Sequence, residues 1–275
     1  TPRYIGSPDE TAVTTRPIPC TVHRAVDAAP VLGGVVLIVD VFRASNTVIA
    51  ALAAGAAEVL LVENLDTARR LKKEHPGRLL LGERGGVMPE GFDGDNSPAG
   101  VGRLPMAGRR VVLTTSAGTR AVGRVRRGAR AAVASFANAT AVVAWVRRLA
   151  PARVHLLAAG LGGREPALED DLCAEHLAEL LAGRRPGFTG TSLPRLLTSH
   201  GAGRLRRLGQ EADLAWCTRL DLTDVVHASS SAGTQAGLLC GFAGLAADGD
   251  APHPRVHGIN VSETDADVLP REILR

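Results

Sequence analysis

The stretch VVLIVD at residues 35–40 decides the fold. An aliphatic run that closes on an acid is typical of a buried strand with a functional group at its carboxyl end. Arg43, Ser45, Asn46 and Thr47 follow before the chain becomes Ala-rich and helical. A carboxylate at such a strand end can bind a hard cation, and the free N–H groups of the next helix start favour an anion. Metal and phosphate chemistry is therefore the first hypothesis.

The chain around this stretch alternates between short aliphatic strands and helical patterns. Strands are predicted at residues 35–39, 59–62, 79–81, 110–114, 131–134 and 153–159. Helices are predicted at residues 47–57, 66–74, 119–127, 139–149 and 168–182. This alternation predicts an α/β fold, with a mostly parallel or mixed sheet covered by helices. In such a sheet, ligands gather at the carboxyl ends of the strands.

The last third of the chain is less regular. We predict a loop with a short helix over 183–209, a helix over 211–220 and a last strand near 222–227. From Ser229 the composition changes to small, then acidic and Pro-containing segments, so residues 229–275 are treated as an extension of unknown role.

Composition limits the class of protein. With 45% hydrophobic and 3% aromatic residues, the 275-residue chain can bury a large aliphatic core. We expect a cytoplasmic protein without a membrane partner, since no run of 18 apolar residues and no hydrophobic signal core is present. The net charge of +4 is scattered and few aromatics are available for stacking, so no nucleic-acid partner is expected. The cysteines lack zinc-type spacing and are expected to be reduced and mostly buried.

Acidic side chains at the predicted strand ends indicate a magnesium site. Asp40, Glu83 and the pair Glu169–Asp170 follow different strands, and carboxylates from several strand ends can share Mg²⁺ with water and substrate oxygens. The alternative for Asp40 is a helix cap without a metal role. Asp171 is interpreted as a solvated residue of the first helical turn.

Arginine supplies nearly all of the positive charge, since the only lysines are Lys72 and Lys73. Arginine suits bidentate binding of phosphate, carboxylate or sulfonate, although a GC-rich genome would give the same composition. Arg43 and Arg84 each follow a strand-end acid and are candidates for binding substrate anions. The alternative is that they pair with the neighbouring carboxylates.

The loop TTSAGT at residues 114–119 offers hydroxyl groups and a glycine, as phosphate-binding turns do, although such clusters are often plain turns. Spacing excludes several other phosphatase chemistries. Asp40 has no second aspartate two residues later, no cysteine has an arginine six residues later, and no GxxxxGK[ST] motif exists.

Five blocks of sequence together resemble the 2-phosphosulfolactate phosphatase family. They are DVFRAS at 40–45, GERGG at 82–86, GFD at 91–93 with NSP at 96–98, TT at 114–115 with GT at 118–119, and ED at 169–170 with CA at 173–174. The blocks occur in the family's order, and the similarity covers about residues 20–228.

The resemblance implies a magnesium-dependent acid phosphatase that converts 2-phosphosulfolactate to 3-sulfolactate on the route to coenzyme M, on an α/β domain peculiar to the family. It implies Mg²⁺ as cofactor and a small anionic phosphorylated substrate. Asp40, Glu83 and Arg43 become catalytic candidates, and Asp40, Glu83, Glu169 and Asp170 become metal ligands. The candidates for binding substrate or phosphate are Arg43, Ser45, Arg84, Asn96, Ser97, Thr115, Ser116, Gly118, Thr119 and Arg164.

Four positions depart from the pattern of the family. Asn46 replaces a usual threonine, Asp95 a glycine, Ala117 an asparagine and Glu175 a glycine. Asp95 and Glu175 would repel a trianionic substrate if they face it, and Ala117 removes an amide that could bind it.

The departures keep two alternatives open. One is a phosphatase for another phosphorylated sugar, nucleotide or specialised metabolite, and the other is a non-catalytic anion-binding protein on the same fold. The residues do not decide whether water or a carboxylate attacks phosphorus. A homo-oligomer is a general expectation for such an enzyme.

Overall fold

Two sheets, one of six strands and one of four, form the framework of the part of the protein that the structure describes. The structure is a computed structural model that describes residues 16–186 and 192–223 and the backbone of two further strands at Val226–Ser229 and Val256–Ile259.

The first sheet has the strand order β1-β8-β2-β7-β9-β10. Its strands are β1 (Cys20–Arg24), β2 (Val35–Val39), β7 (Arg130–Ala134), β8 (Val154–Ala158), β9 (Val226–Ser229) and β10 (Val256–Ile259). The strands β1, β8, β2 and β7 are parallel, and β9 runs antiparallel to β7. The sheet is therefore mixed, with β2 flanked by parallel neighbours on both sides.

The second sheet has the order β3-β6-β4-β5 and is parallel throughout. Its strands are β3 (Glu58–Leu61), β4 (Leu79–Gly82), β5 (Gly94–Asp95) and β6 (Arg110–Thr114). In both sheets the carboxyl ends of the parallel strands carry the loops that form the site described below.

Helices connect and cover the strands. They are α1 (Ala44–Ala53), α2 (Leu65–Glu74), α3 (Pro98–Val101), α4 (Gly118–Val122), α5 (Ala139–Leu149), α6 (Leu168–Leu181), α7 (Leu193–Leu197), α8 (His200–Arg207) and α9 (Glu211–Cys217). Among the described residues, no helix is long and apolar enough to span a membrane.

Strand β2 is buried on both faces, which explains its unbroken aliphatic sequence. Val36 and Ile38 belong to a cluster that also contains α1 and one face of the second sheet. Val35, Leu37 and Val39 pack on the other side against α5 and α6. The helix α1 therefore shares one core with both sheets, and the loop between β2 and α1 lies where the two sheets meet.

The α/β prediction with a mostly parallel or mixed sheet is confirmed. All six predicted strands are present within one or two residues of their predicted ends, and the helix at residues 139–149 has the predicted bounds. The predicted cysteine environment also holds for the described residues, where Cys173 and Cys217 are buried and Cys20, Cys173 and Cys217 are free.

The structure differs from the sequence prediction in several elements. The strands divide into two sheets, which periodicity along the chain cannot show. The helix predicted at 119–127 ends at Val122, because Gly123 caps it and Val125 then bridges Leu32. The described part of the segment 183–209 contains two helices, α7 and α8. Pro194 lies in the first turn of α7, and the Ser199 side chain caps α8.

Some predictions fall wholly or partly outside the described residues. The last strand was expected near 222–227, and the described strand is Val226–Ser229, with 224–225 outside. Most of 229–275, including Cys240, also lies outside. The strand Val256–Ile259 within that range pairs in parallel with β9, so this part of the extension joins the first sheet.

Substitution of Leu37 tests the packing of the core around β2. It is 0% exposed at the centre of β2, so Leu37→Ala is expected to lower the free energy of unfolding by about 2–5 kcal/mol through lost burial and a residual cavity. Val31→Ala is the control, because Val31 is 54% exposed and a change within about 0.5 kcal/mol is expected there. Urea unfolding followed by circular dichroism measures both, and equal losses would contradict this packing.

Candidate active site

A cleft at the carboxyl ends of strands from both sheets collects most of the polar residues singled out in the sequence. It is lined by loops after β2, β4, β5, β6 and β8, by the start of α6 and by α8 with the residues that follow it. The polar lining side chains are Asp40, Arg43, Glu83, Asn96, Thr115, Ser116, Glu169, Asp170, Arg204 and Gln210. Four acids and two arginines therefore share one cleft.

Asp40 joins the end of β2 to the start of α1. Its Oδ1 accepts a hydrogen bond from the N–H of Ala44 at 3.1 Å, so it satisfies the first N–H of the helix as a cap would, although Arg43 occupies the N-cap position. No described residue donates to its other oxygen, Oδ2, which lies beside Gly118; a Cβ on Gly118 would come within 2.8 Å of it. The helix-capping and cleft-facing interpretations of Asp40 are thus compatible, one through each oxygen.

Arg43 is held by two acids that are distant in sequence. Its Nη1 donates to Asp95 Oδ2 at 3.0 Å and to Asp213 Oδ2 at 2.6 Å. The pairing alternative is therefore realised, but with Asp95 and Asp213 and not with its neighbour Asp40. The Nε and Nη2 groups make no hydrogen bond to a described residue. They remain available on an arginine that lines the cleft.

Asp213 of α9 connects three elements and escaped the sequence analysis. It is 2% exposed, and besides Arg43 it accepts hydrogen bonds from Ser97 Oγ at 2.7 Å and the N–H of Ala99 at 3.0 Å. The only signal in the sequence is that this acid occupies the helix face that also carries Leu214 and Cys217. An acid on an apolar face needs buried partners.

Glu83 ties together the loops after β4 and β6. Its Oε1 accepts the N–H of Ser116 at 2.7 Å and its Oε2 accepts the N–H of Gly86 at 2.6 Å. Glu83 is buried and lines the cleft, so these bonds fix the carboxylate in place.

Asp170 and Glu169 begin α6. Both oxygens of Asp170 accept backbone N–H groups, from Val41 at 2.7 Å and from Gly160 at 2.9 Å. Glu169 is packed against α8, where a Cβ on Gly201 would overlap its Oε1. The two neighbouring acids therefore connect the loops after β2 and β8 with α8.

Burial and mutual repulsion disfavour the charged forms of these acids. Burial, with the negative charges of Glu83 and Glu169, raises the pKa of Asp40 to about 7, against the hydrogen bond from Ala44 and the charge of Arg43. Burial and the charges of Asp40 and Glu169 hold the pKa of Asp170 well above its usual range. Burial also raises the pKa of Glu169. A cation in the cleft would relieve this crowding.

The donor chemistry fits a hard divalent cation in part. Among the described residues, no group of three or more His, Cys, Asp or Glu side chains is placed to hold a metal ion. Mg²⁺ nevertheless needs only one or two carboxylates when water and substrate phosphate supply the other ligands. Asp40, with its unpartnered Oδ2, meets that requirement, and carboxylate oxygens that already accept one N–H retain a second lone pair.

The structure places several predicted substrate-binding residues outside the cleft lining. Ser45 Oγ accepts the N–H of Asp40 at 3.0 Å and donates to the Ile38 carbonyl at 3.2 Å, so this buried hydroxyl serves the turn. Arg84 donates to the carbonyls of Glu83 and Glu63 at 2.7 and 2.6 Å. It also donates to Thr114 Oγ1 at 2.7 Å. These three hydrogen bonds hold the Arg84 guanidinium beside the second sheet.

The other predicted substrate-binding residues either line the cleft or lie in the turns and helices around it. Thr115 and Ser116 line the cleft, whereas the Thr119 hydroxyl donates to the Thr115 carbonyl at 2.7 Å within the turn. Gly118 allows the close approach to Asp40 described above. Ser97 caps α3, and Arg164 lies on an exposed turn.

A comparison with known proteins now identifies the family. A family model described as 2-phosphosulpholactate phosphatase matches residues 20–231. The chain belongs to the 2-phosphosulfolactate phosphatase family.

Curated relatives agree with this assignment. The chain is 36% identical over 217 residues to a protein of Synechocystis sp. (72% of this chain, 89% of the relative). It is 35% identical over 235 residues to one of Synechococcus sp. WH7803 (77% and 95%) and 36% identical over 207 residues to one of Deinococcus radiodurans (70% and 86%). Each relative carries the name "Probable 2-phosphosulfolactate phosphatase".

Three of the four departures from the pattern of the 2-phosphosulfolactate phosphatase family lie away from the cleft lining. Asn46 is buried and its Nδ2 donates to the Val41 carbonyl at 2.8 Å. Asp95 pairs with Arg43, and Glu175 is exposed near Arg24 at 3.5 Å. Only Ala117 lines the cleft. The added negative charges are therefore compensated by arginine or lie at the surface.

Asp213 provides a test of the site's framework. Asp213→Asn removes the charge that faces the buried Arg43, and a loss of about 3–5 kcal/mol in the free energy of unfolding is expected for a broken buried pair. Glu211→Gln on the same helix is the matched control, since Glu211 is exposed. Chemical denaturation compares the variants. A loss for Asp213→Asn no larger than for the control would show that the pair does not stabilise this region.

Proposed function

We propose that this chain is a magnesium-dependent phosphoric monoester hydrolase that acts on a small phosphorylated hydroxy acid, nominally 2-phosphosulfolactate, to give 3-sulfolactate and phosphate. The observation that carries the proposal is that Asp40 and Arg43 line the same cleft and both have groups without a partner among the described residues. These groups are Oδ2 of Asp40 and the Nε and Nη2 groups of Arg43. Membership of the family and the names of the relatives support the choice of substrate.

Arg43 is suited to bind and orient the phosphate. Two carboxylates hold its Nη1, so the direction of the guanidinium is set before substrate arrives. Its remaining N–H groups can donate to phosphate oxygens as a planar pair. A fixed donor of this kind stabilises charge that develops in the transition state without reorganisation.

Thr115 offers a second contact to the same phosphate. Its Oγ1 accepts the N–H of Thr119 at 3.2 Å, which leaves its own hydroxyl proton free to donate. Glu83 acts on this loop indirectly, because it holds the N–H of Ser116.

Asp40, together with Glu169, would hold Mg²⁺ in the cleft. When bound, Mg²⁺ neutralises charge on the phosphoryl oxygens and polarises the phosphorus centre. Glu83 and Asp170 have their oxygens bonded to backbone N–H groups and would keep the loops in place.

The attacking group is either water, oriented by a carboxylate of the cleft, or Asp40 itself through Oδ2. The configuration at phosphorus distinguishes the two, because direct attack by water inverts it and a phosphoaspartyl intermediate retains it. A substrate with a phosphate made chiral by oxygen isotopes supplies this measurement.

A substrate panel tests the proposed function. With Mg²⁺ present, 2-phosphosulfolactate should be turned over faster than nucleoside monophosphates or sugar phosphates, and chelation with EDTA should abolish turnover until Mg²⁺ is returned. Phosphate release measures each rate. Preference for a nucleotide or sugar phosphate would favour the alternative substrate class. No turnover of any substrate would favour the hypothesis of a non-catalytic anion-binding protein.

Asp40→Asn tests the central residue. Turnover should fall by about 100-fold or more, since the substitution replaces the carboxylate proposed to hold Mg²⁺ or to attack phosphorus with a neutral amide. The amide retains an acceptor for the Ala44 N–H, so folding should persist and is checked by circular dichroism. Asp171→Asn is the matched control, because Asp171 pairs with Arg24 outside the cleft. Unchanged turnover in Asp40→Asn would exclude Asp40 from the reaction.

A further inference from the structure

Arg204 of α8 stands apart from the other arginines near the cleft. It lines the cleft and is half-buried. Its guanidinium donates to no carboxylate, carbonyl or hydroxyl of the described residues. In contrast, Arg43 is bound by two acids and Arg84 by two carbonyls and a hydroxyl. A partly buried guanidinium without a protein partner is left to water or to a ligand, and it keeps its full capacity to bind an anion.

The loop after β4 makes room for this side chain. A Cβ on Gly86 would lie 3.0 Å from Arg204 Nη2 and 2.8 Å from Leu208 Cδ1, and Gly86 has a φ of +84°. The guanidinium therefore rests against the Gly86 backbone, whose N–H is held by Glu83. This contact restricts where Arg204 can point, so its position in the cleft is built into the fold.

Two further polar groups in the same cleft lack protein partners. Asn96 is 4% exposed and its Oδ1 makes no hydrogen bond. Gln210 has an equally unpartnered Oε1, while its Nε2 donates to Asp95 at 2.9 Å. Both atoms are hydrogen-bond acceptors with almost no exposed surface, so they do not bind an oxyanion, and the cation for a second acid group has to come from an arginine.

The charges of the cleft indicate that one arginine cannot bind both anionic groups of a phosphorylated acid. The four acids of the cleft outnumber its two arginines, and the charge of Arg43 is already matched by Asp95 and Asp213. A substrate that carries an acid group besides its phosphate therefore needs a separate cation. Arg204 is the other cleft-lining arginine in the described part of the chain, and it is the one that is free.

We propose that Arg204 binds the second anionic group of the substrate, a carboxylate or sulfonate, and so selects phosphorylated acids over simple phosphate esters. This inference rests on the proposed function. It names the substrate class as a phosphomonoester with at least one further oxyanion, and it assigns Arg43 to the phosphate end and Arg204 to the acid end.

The test compares Arg204→Gln with wild type on three phosphate esters. Phenyl phosphate has no second acid, 2-phospholactate has a carboxylate, and 2-phosphosulfolactate has a carboxylate and a sulfonate. KM for the two acid-bearing esters should rise about 10- to 100-fold, as expected for a lost hydrogen bond between charged groups, with phenyl phosphate changed less than about twofold. Arg204→Lys should restore part of the loss. A higher KM for 2-phosphosulfolactate alone would indicate that Arg204 binds the sulfonate. A higher KM for both acid-bearing esters would indicate that it binds the carboxylate.

Arg206→Gln is the matched control, since Arg206 lies on the same helix but is exposed and outside the cleft lining. An equal loss for all three esters, or a loss in the control as large as in Arg204→Gln, would overturn the proposal. So would unchanged kinetics for every ester.

Calorimetric binding of 3-sulfolactate separates this inference from the proposed function. If wild type hydrolyses no ester, the proposed function fails. Binding of 3-sulfolactate that is lost in Arg204→Gln and kept in Arg206→Gln would still support Arg204 as the acid-binding residue. Equal binding by wild type and Arg204→Gln, or no binding by either, would overturn it.

Discussion

Backbone N–H groups that satisfy buried carboxylates determine how the cleft is built. A buried carboxylate is unfavourable unless hydrogen bonds replace its lost water. Glu83 and Asp170 each accept two backbone N–H groups, and Asp40 and Asp213 each accept one. Except for Ala44 at Asp40 and Gly86 at Glu83, the donors lie in different segments of the chain from the acids that accept them. The same acids that give the cleft its chemistry therefore hold the strand ends of both sheets together.

Periodicity along the chain was sufficient for the six aliphatic strands and for the edge of the sheet at which polar residues gather, but not for the ends of α4 or the two helices α7 and α8. Asp40 could be predicted because it ends an aliphatic run, and Glu83 for the same reason. The division into two sheets could not, since it depends on which strands pair across long separations. The roles of Ser45 and Arg84 were also beyond the sequence, because a hydroxyl or guanidinium after a strand can face either the cleft or a nearby carbonyl.

The residues that the sequence analysis missed come from helices late in the chain. Arg204 lies in α8, where an Arg- and Gly-rich composition hides the helical periodicity, whereas Asp213 lies in α9, a predicted helix in which this acid belongs to no recognisable motif. Their importance follows from contacts: Asp213 fixes Arg43, and Arg204 enters the cleft beside Gly86. One arginine is thus neutralised by protein acids and the other is left without them. The cleft therefore contains one guanidinium whose charge is matched by protein acids and one, among the described residues, whose charge is not.

The ion pair between Arg43 and Asp213 spans 170 residues of sequence. Closing so long a loop costs chain entropy, and this cost is offset only once the core has formed. Contacts of this kind therefore form slowly. During synthesis the first sheet's central strand and its arginine leave the ribosome long before α9 does. A nascent protein that lacks α9 can hold that guanidinium only through Asp95, so Arg43 reaches both of its acidic partners at a late stage of folding.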